Sequence, residues 1–185
     1  MDALLTSIAV VALAEIGDKT QLLAILLATR FRKPLPIIFG ILVATLANHA
    51  LAALLGATVA GIFQSGWFRT VIALSFLAMA LWTLIPDKLD DLEEKPARFG
   101  AFITTVIAFF LVEMGDKTQI ATVALGARFQ AVGWVTLGTT LGMLIANIPA
   151  VFLGHELIRR VPLKIVRIIA ALLFAAIGLW LLIQD

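Results

Sequence analysis

The chain of 185 residues is 62% hydrophobic and only 14% charged, with a mean hydropathy of +1.06, against roughly 45–50% apolar residues in a soluble domain. It reads as a membrane protein. A bilayer core about 30 Å thick takes roughly 20 apolar residues per helix, so the length admits about six short-looped spans and no sizeable soluble domain. The net charge of +2 comes with basic residues at span ends, where headgroups and topology account for them, and no nucleic-acid partner is expected. The absence of cysteine excludes disulfides, thiolate metal sites and thiol redox chemistry.

Hydropathy and punctuation place six helices at about 3–30, 35–62, 67–86, 99–127, 131–157 and 162–184. Met1-Asp2-Ala3-Leu4-Leu5 lacks the basic n-region of a signal peptide, so the first helix is expected to be a retained span. The connections are Phe31–Pro34, a turn at Gln64-Ser65-Gly66, a charged linker Asp87–Arg98, Arg128–Gly133, and a basic corner at Arg159-Arg160-Val161-Pro162. Only the third has the character of a linker between units.

Span one contains Glu15-Ile16-Gly17-Asp18-Lys19-Thr20-Gln21, and span four contains Glu113-Met114-Gly115-Asp116-Lys117-Thr118-Gln119, displaced by 98 positions. The repeat is far longer than this motif. Residues 1–87 lie over 99–185 without a gap, with 27 of the 87 positions identical, among them Arg30 on Arg128, Gly40 on Gly138, Gly56 on Gly154 and Trp82 on Trp180. The chain therefore divides into a first three-helix repeat, 1–87, a linker, 88–98, and a second three-helix repeat, 99–185. Three is odd, so the second repeat enters the membrane from the opposite side. The expected fold is all-α: a polytopic membrane protein of six transmembrane helices in two inverted three-helix repeats, an arrangement that many secondary transporters use with the site at the midplane.

Lys and Arg counts set the orientation. With the N-terminus on side one, the loops on side two carry Arg30, Arg32, Lys33, Lys88, Lys95, Arg98, Arg159, Arg160, Lys164 and Arg167, whereas side one has Arg69 and Arg128. This bias puts both termini outside and the charged linker in the cytoplasm.

Glu15, Asp18, Glu113 and Asp116 fall near span centres, where an acidic residue costs about 2.5–3.5 kcal/mol on the lowest scales. Spacing i, i+3 puts Glu15, Asp18 and Gln21 along one helix face. Gly17 and Gly115 weaken the helix between the carboxylates, so a kink or local unwinding is expected there. With all groups ionised each motif carries −1 and the pair −2, which one divalent cation neutralises. The carboxylates, the amide oxygens of Gln21 and Gln119 and the hydroxyls of Thr20 and Thr118 are hard oxygen donors suited to calcium, magnesium or manganese. Competition between metal and protons for the same carboxylates would couple metal efflux to proton entry. Lys19 and Lys117 are charge partners or gating charges rather than ligands. Their bland reading is a salt bridge within each helix, Glu15 to Lys19 and Glu113 to Lys117.

Asn48 and His49 in span two, and Asn147 in span five, are secondary candidates; ordinary interhelical hydrogen bonding is the competing account. Gly40, Ala44 and Asn48, with Gly138 and Gly142, form small-residue rows for close packing. Trp67, Trp82, Trp134 and Trp180 read as an interfacial belt, Pro149 as a kink, and His155 and Glu156 as solvated groups at the cytoplasmic end of span five.

The doubled Glu-x-Gly-Asp-Lys-Thr motif resembles the signature of a family of cation/proton exchangers that includes the bacterial MneA-type manganese exporters and Golgi and chloroplast manganese and calcium transporters. The resemblance covers essentially the whole chain, and the short linker matches the compact bacterial type. It implies export of Mn2+, or Ca2+ in some members, in exchange for protons, with Glu15, Asp18, Glu113 and Asp116 essential. It also implies a transporter in the cytoplasmic membrane rather than an enzyme, with no permanently bound cofactor. Two other classes fit the residues less well. One is an exporter of a small cationic solute such as a basic amino acid. The other is an intramembrane hydrolase with an Asp18–Asp116 dyad, which would leave both lysines and both glutamates without a task.

Overall fold

The computed structural model describes residues 2–62, 66–85, 99–154 and 162–183. These form α-helices with no strand among the described residues: α1 Asp2–Glu15, α2 Lys19–Phe31, α3 Pro34–Ile62, α4 Gly66–Thr83, α5 Ala101–Glu113, α6 Lys117–Phe129, α7 Val132–Leu153 and α8 Leu163–Ile183. The linker 88–98, the turn at Gln64-Ser65, the corner at Arg159-Arg160-Val161, and His155 and Glu156 lie outside the described residues.

The first and fourth predicted spans are each two half-helices. Gly17 and Gly115 adopt φ of +83° and +77°, in the left-handed region that only glycine enters cheaply. The chain unwinds there for three residues and starts again at Lys19 and Lys117. α2 and α6 also end alike, at Phe31 and Phe129, where Arg32 and Gln130 take left-handed conformations and donate their N–H groups to the carbonyls of Ala28 and Gly126. The 98-residue repeat is thus a repeat of backbone geometry as well as of sequence.

Helices 34–61, 132–153 and 163–183 are long and apolar enough to cross a membrane, while 67–83 and 101–113 are shorter apolar helices. The broken spans fall short as single helices because the glycines cut them. Large apolar side chains point outward along the helices, including Leu35, Phe39, Leu51 and Leu54 on α3 and Ile165 and Leu172 on α8. Water would not tolerate so much contiguous apolar surface, and lipid does. Trp67, Trp134 and Trp180 are exposed as a headgroup belt requires. Pro149 lies inside α7, which runs on through Leu153.

The repeats interlock. α1 packs along α7, and α5 along α3. Glycines make the first contact close: a β-carbon on Gly138 would lie 2.7 Å from the Leu4 carbonyl oxygen, and one on Gly142 2.8 Å from that of Ile8. Gly40 faces Thr105 in the same way. The third helices, α4 and α8, pair with each other through Phe76 and Phe174, whose ring centroids are 6.2 Å apart.

Two apolar clusters flank a polar layer. Along α3, Ile37, Ile41 and Ala44 belong to one cluster with α2, α5 and α7, while Ala53 and Ala60 belong to the other with α1, α4, α6 and α8. Asn48 and His49 lie between them.

The repeats are not packed identically. α3 lies along α6 so closely that a β-carbon on Gly56 would sit 1.9 Å from the Val123 carbonyl oxygen, and one on Gly126 2.4 Å from that of Ala53. The counterpart of Gly56 is Gly154, where a β-carbon would meet nothing within 4 Å among the described residues, and α7 contacts α2 less extensively than α3 contacts α6 among them.

The Gly56 contact gives a direct test. Gly56→Ala must separate α3 from α6 and should cost about 1–3 kcal/mol, the range for overpacking. Gly61→Ala, further along α3 where a β-carbon would meet nothing within 4 Å among the described residues, should be neutral or stabilise by up to about 1 kcal/mol through helix propensity. Thermal unfolding of the two variants in detergent should separate them in that order.

Candidate metal centre

The half-helix ends converge in the polar layer. The glycine that breaks each helix leaves its own N–H without an intrahelical acceptor, and the glutamine four residues on supplies one. Gly17 N–H donates to Gln21 Oε1 at 2.9 Å, and Gly115 N–H to Gln119 Oε1 at 2.7 Å. The amides then tie the breaks to neighbouring helices: Gln21 Nε2 donates to the Ala146 carbonyl at 2.9 Å, and Gln119 Nε2 to Asn48 Oδ1 at 2.5 Å. The two amide oxygens proposed from sequence as ligands are thus engaged with backbone in this conformation.

Asp18 and Asp116 occupy the N-cap positions of α2 and α6, yet neither side chain caps its own helix. They reach across to the other repeat instead. Lys117 Nζ is 2.8 Å from Asp18 Oδ1, and Lys19 Nζ is 2.8 Å from Asp116 Oδ1. These pairs differ in depth: the Lys117 side chain is 5% exposed and that of Lys19 is 30% exposed. An ion pair in a dry interior needs close geometry to offset desolvation, and both pairs have it.

Glu15 and Glu113 end α1 and α5. Thr20 Oγ1 donates to Glu15 Oε2, and Thr118 Oγ1 donates to Glu113 Oε1 and lies 3.4 Å from Asp116 Oδ2. Each glutamate keeps one buried oxygen, Glu15 Oε1 and Glu113 Oε2, with no hydrogen-bond partner among the described residues. Such orphaned acceptors are costly unless a cation or proton meets them. Carboxylate oxygens of Glu15, Glu113 and Asp116 all lie within 4.8 Å of one another, about the span of opposite ligands around an ion with bonds of about 2.1–2.4 Å.

The structure therefore brings Glu15, Asp18, Thr20, Gln21, Glu113, Asp116, Lys117 and Thr118 into one buried layer, with Lys19 and Gln119 at its edge. Asn48, His49 and Asn147, all buried, border it. His49 Nε2 lies 3.3 Å from Glu113 Oε1, whereas Asn147 Nδ2 donates to the Met143 carbonyl at 3.0 Å. Sequence reasoning missed three contributors: the Ala146 carbonyl, Met143, and Leu163, whose side chain lies against Gly17. Only the Thr45-to-Met143 difference between the repeats was a visible signal. Because each aspartate holds a lysine, Asp18 and Asp116 do not form the proton-sharing dyad of an aspartic hydrolase.

Comparison with known proteins identifies the family. The family model described as divalent cation/proton antiporter GDT1 matches residues 3–91 and 101–185, one segment per repeat. A Vibrio cholerae serotype O1 protein named "Putative manganese exporter" is 54% identical over 97% of this chain and 90% of its own length. The Synechocystis GDT1-like protein sll0615 is 28% identical over 97% and 98%, and GDT1-like protein 3 of Arabidopsis thaliana 30% over 94% and 68%. No solved structure matches the chain. The chain belongs to the GDT1 family of divalent cation/proton antiporters, which are transporters rather than enzymes.

Proposed function

We propose that this protein is a six-span carrier of a bacterial cytoplasmic membrane, with both termini outside, that exports Mn2+, and to a lesser degree Ca2+, in exchange for protons. The observation that carries the reading is the carboxylate cluster of Glu15, Glu113 and Asp116 with its orphaned oxygens, framed by two lysine–aspartate pairs that cross between the repeats. The named manganese exporter among the relatives supports the choice of metal.

Helix directions support inverted repeats, 1–87 and 99–185 joined by the cytoplasmic linker 88–98. Gly138 meets Leu4 and Ser7 while Gly142 meets Ile8 and Ala12, so α1 and α7 run the same way. Gly40 meets Phe102 and Asn48 meets Phe110, so α5 runs with α3. α3 turns back after α2 through Arg32-Lys33, and α5–α6 therefore opposes α1–α2. The half-helix pairs each count as one span, which brings the total to six.

The charges suggest a one-for-two exchange. With Asp18 neutralised by Lys117 and Asp116 by Lys19, Glu15 and Glu113 leave −2. One divalent cation or two protons balance it, so exchanging one for the other leaves the site's charge unchanged. The ligand set is Glu15, Glu113 and Asp116 in this conformation. Asp18, Gln21, Gln119, Thr20 and Thr118 would join when the lysines withdraw and the repeats exchange roles. The tight α3–α6 packing beside the deep Lys117–Asp18 pair, against the looser α7–α2 packing beside the shallower Lys19–Asp116 pair, supports a state closed on the α6 side and open on the α2 side. By the distribution of Lys and Arg the open side is cytoplasmic.

Two outcomes test this. Asp18→Asn should reduce proton-driven Mn2+ uptake into inverted vesicles by at least about tenfold, the effect expected when a charged partner is lost at a buried site; full retained uptake would remove the site from the mechanism. Lys117→Met should strand Asp18 and cost about 3–5 kcal/mol, with a clearly smaller loss for Lys19→Met, whose partner can be reached by water. Thermal melts of the two variants in detergent check that order.

A further inference from the structure

The polar layer is two-fold in the motif residues but not on the middle helices, where Asn48 and His49 of α3 stand opposite Ala146 and Asn147 of α7. Glu, Asp, Lys, Thr and Gln occur as matched pairs across the repeats, but the middle helices differ: α3 presents His49 where α7 presents Asn147. His49 is fully buried, its Nε2 is 3.3 Å from Glu113 Oε1, and its Nδ1 has no partner among the described residues. An imidazole placed only to fill space would not be aimed at a carboxylate that ends a broken helix. A neutral imidazole carries one N–H and one lone pair, so in this position it either donates to Glu113 or shares a cation with it.

The spacing, long for a hydrogen bond to a carboxylate, also fits the second use. Two ligand atoms at right angles around an ion with bonds of about 2.1–2.4 Å lie about 3.0–3.4 Å apart, and Nε2 and Oε1 are 3.3 Å apart. Nitrogen changes what the site prefers. Calcium and magnesium take all-oxygen shells, whereas first-row transition ions accept imidazole, with affinity rising from Mn2+ through Fe2+ and beyond.

Resting on the cation-exchange reading above, we propose that His49 is a direct nitrogen ligand to the transported ion and the residue that makes this site select first-row transition ions over Ca2+ and Mg2+. Because this imidazole occurs in the first repeat alone and faces Glu113, the selectivity resides on the Glu113 side of the site. His49→Asn makes the two middle helices equivalent at this position and creates an oxygen-only site.

The test uses the full chain in detergent with Mn2+ as probe. The chain has two histidines, so His155→Asn leaves His49 as the only imidazole. Electron spin-echo modulation from bound Mn2+ should show a coordinated nitrogen whose frequency pattern changes when the protein is grown with 15N-histidine, and no such nitrogen in His49→Asn. The Mn2+:Ca2+ affinity ratio, read by competition, should fall at least about tenfold in His49→Asn. Bound Mn2+ without a histidine-dependent nitrogen signal would overturn the ligand role while leaving the carboxylate site intact, and so would an unchanged affinity ratio in a folded His49→Asn. Failure of the parent protein to bind Mn2+ at all would overturn both this inference and the site it rests on. The labelled His155→Asn protein decides the matter even where His49→Asn does not fold.

Discussion

The rest of the structure depends on two ion pairs that cross from one repeat to the other. Four carboxylates and two ammonium groups cannot stand in the interior of a membrane protein without partners, and the pairing found here joins Asp18 to Lys117 and Asp116 to Lys19. Each half of the chain thereby neutralises part of the other. A single repeat would leave an aspartate and a lysine uncompensated, so the pairs bind the halves as well as shape the site.

The helix breaks follow from the same requirement. An unbroken helix would point Glu15 and Asp18 outward from one rod, but a break with positive φ at Gly17 and Gly115 brings a helix C-terminus, a helix N-terminus and their carboxylates to one level. The open backbone is then closed locally by Gln21 and Gln119 on the glycine N–H groups. The threonines hold one oxygen of each glutamate and leave the other. The two carboxylate oxygens left over, Glu15 Oε1 and Glu113 Oε2, belong to the same small cluster.

A shared sequence pattern does not make the packing of the repeats identical. Gly56 is pressed against α6, while its counterpart Gly154 meets no such neighbour among the described residues, and the two crossed pairs differ in exposure. Side chains of the middle helices break the symmetry outright: Thr45 stands against Met143, Asn48 against Ala146 and His49 against Asn147.

Much of this protein was determined by sequence alone. The apolar composition placed it in a membrane, the gapless offset of 98 residues gave the repeat, and the glycine between two carboxylates located each helix break. All of these are local or periodic properties, which a chain carries whatever it packs against. Tertiary structure decided the rest. That Lys19 meets Asp116, that Gln21 serves Gly17 and Ala146, that His49 points at Glu113 and that Leu163 covers Gly17 are matters of which helix surfaces meet. Spacing along one helix cannot distinguish a partner four residues away from one ninety-seven away. Nor could the repeats say where the packing is tight: both carry the glycine, at Gly56 and at Gly154, and only the assembled bundle presses Gly56 against the Val123 carbonyl.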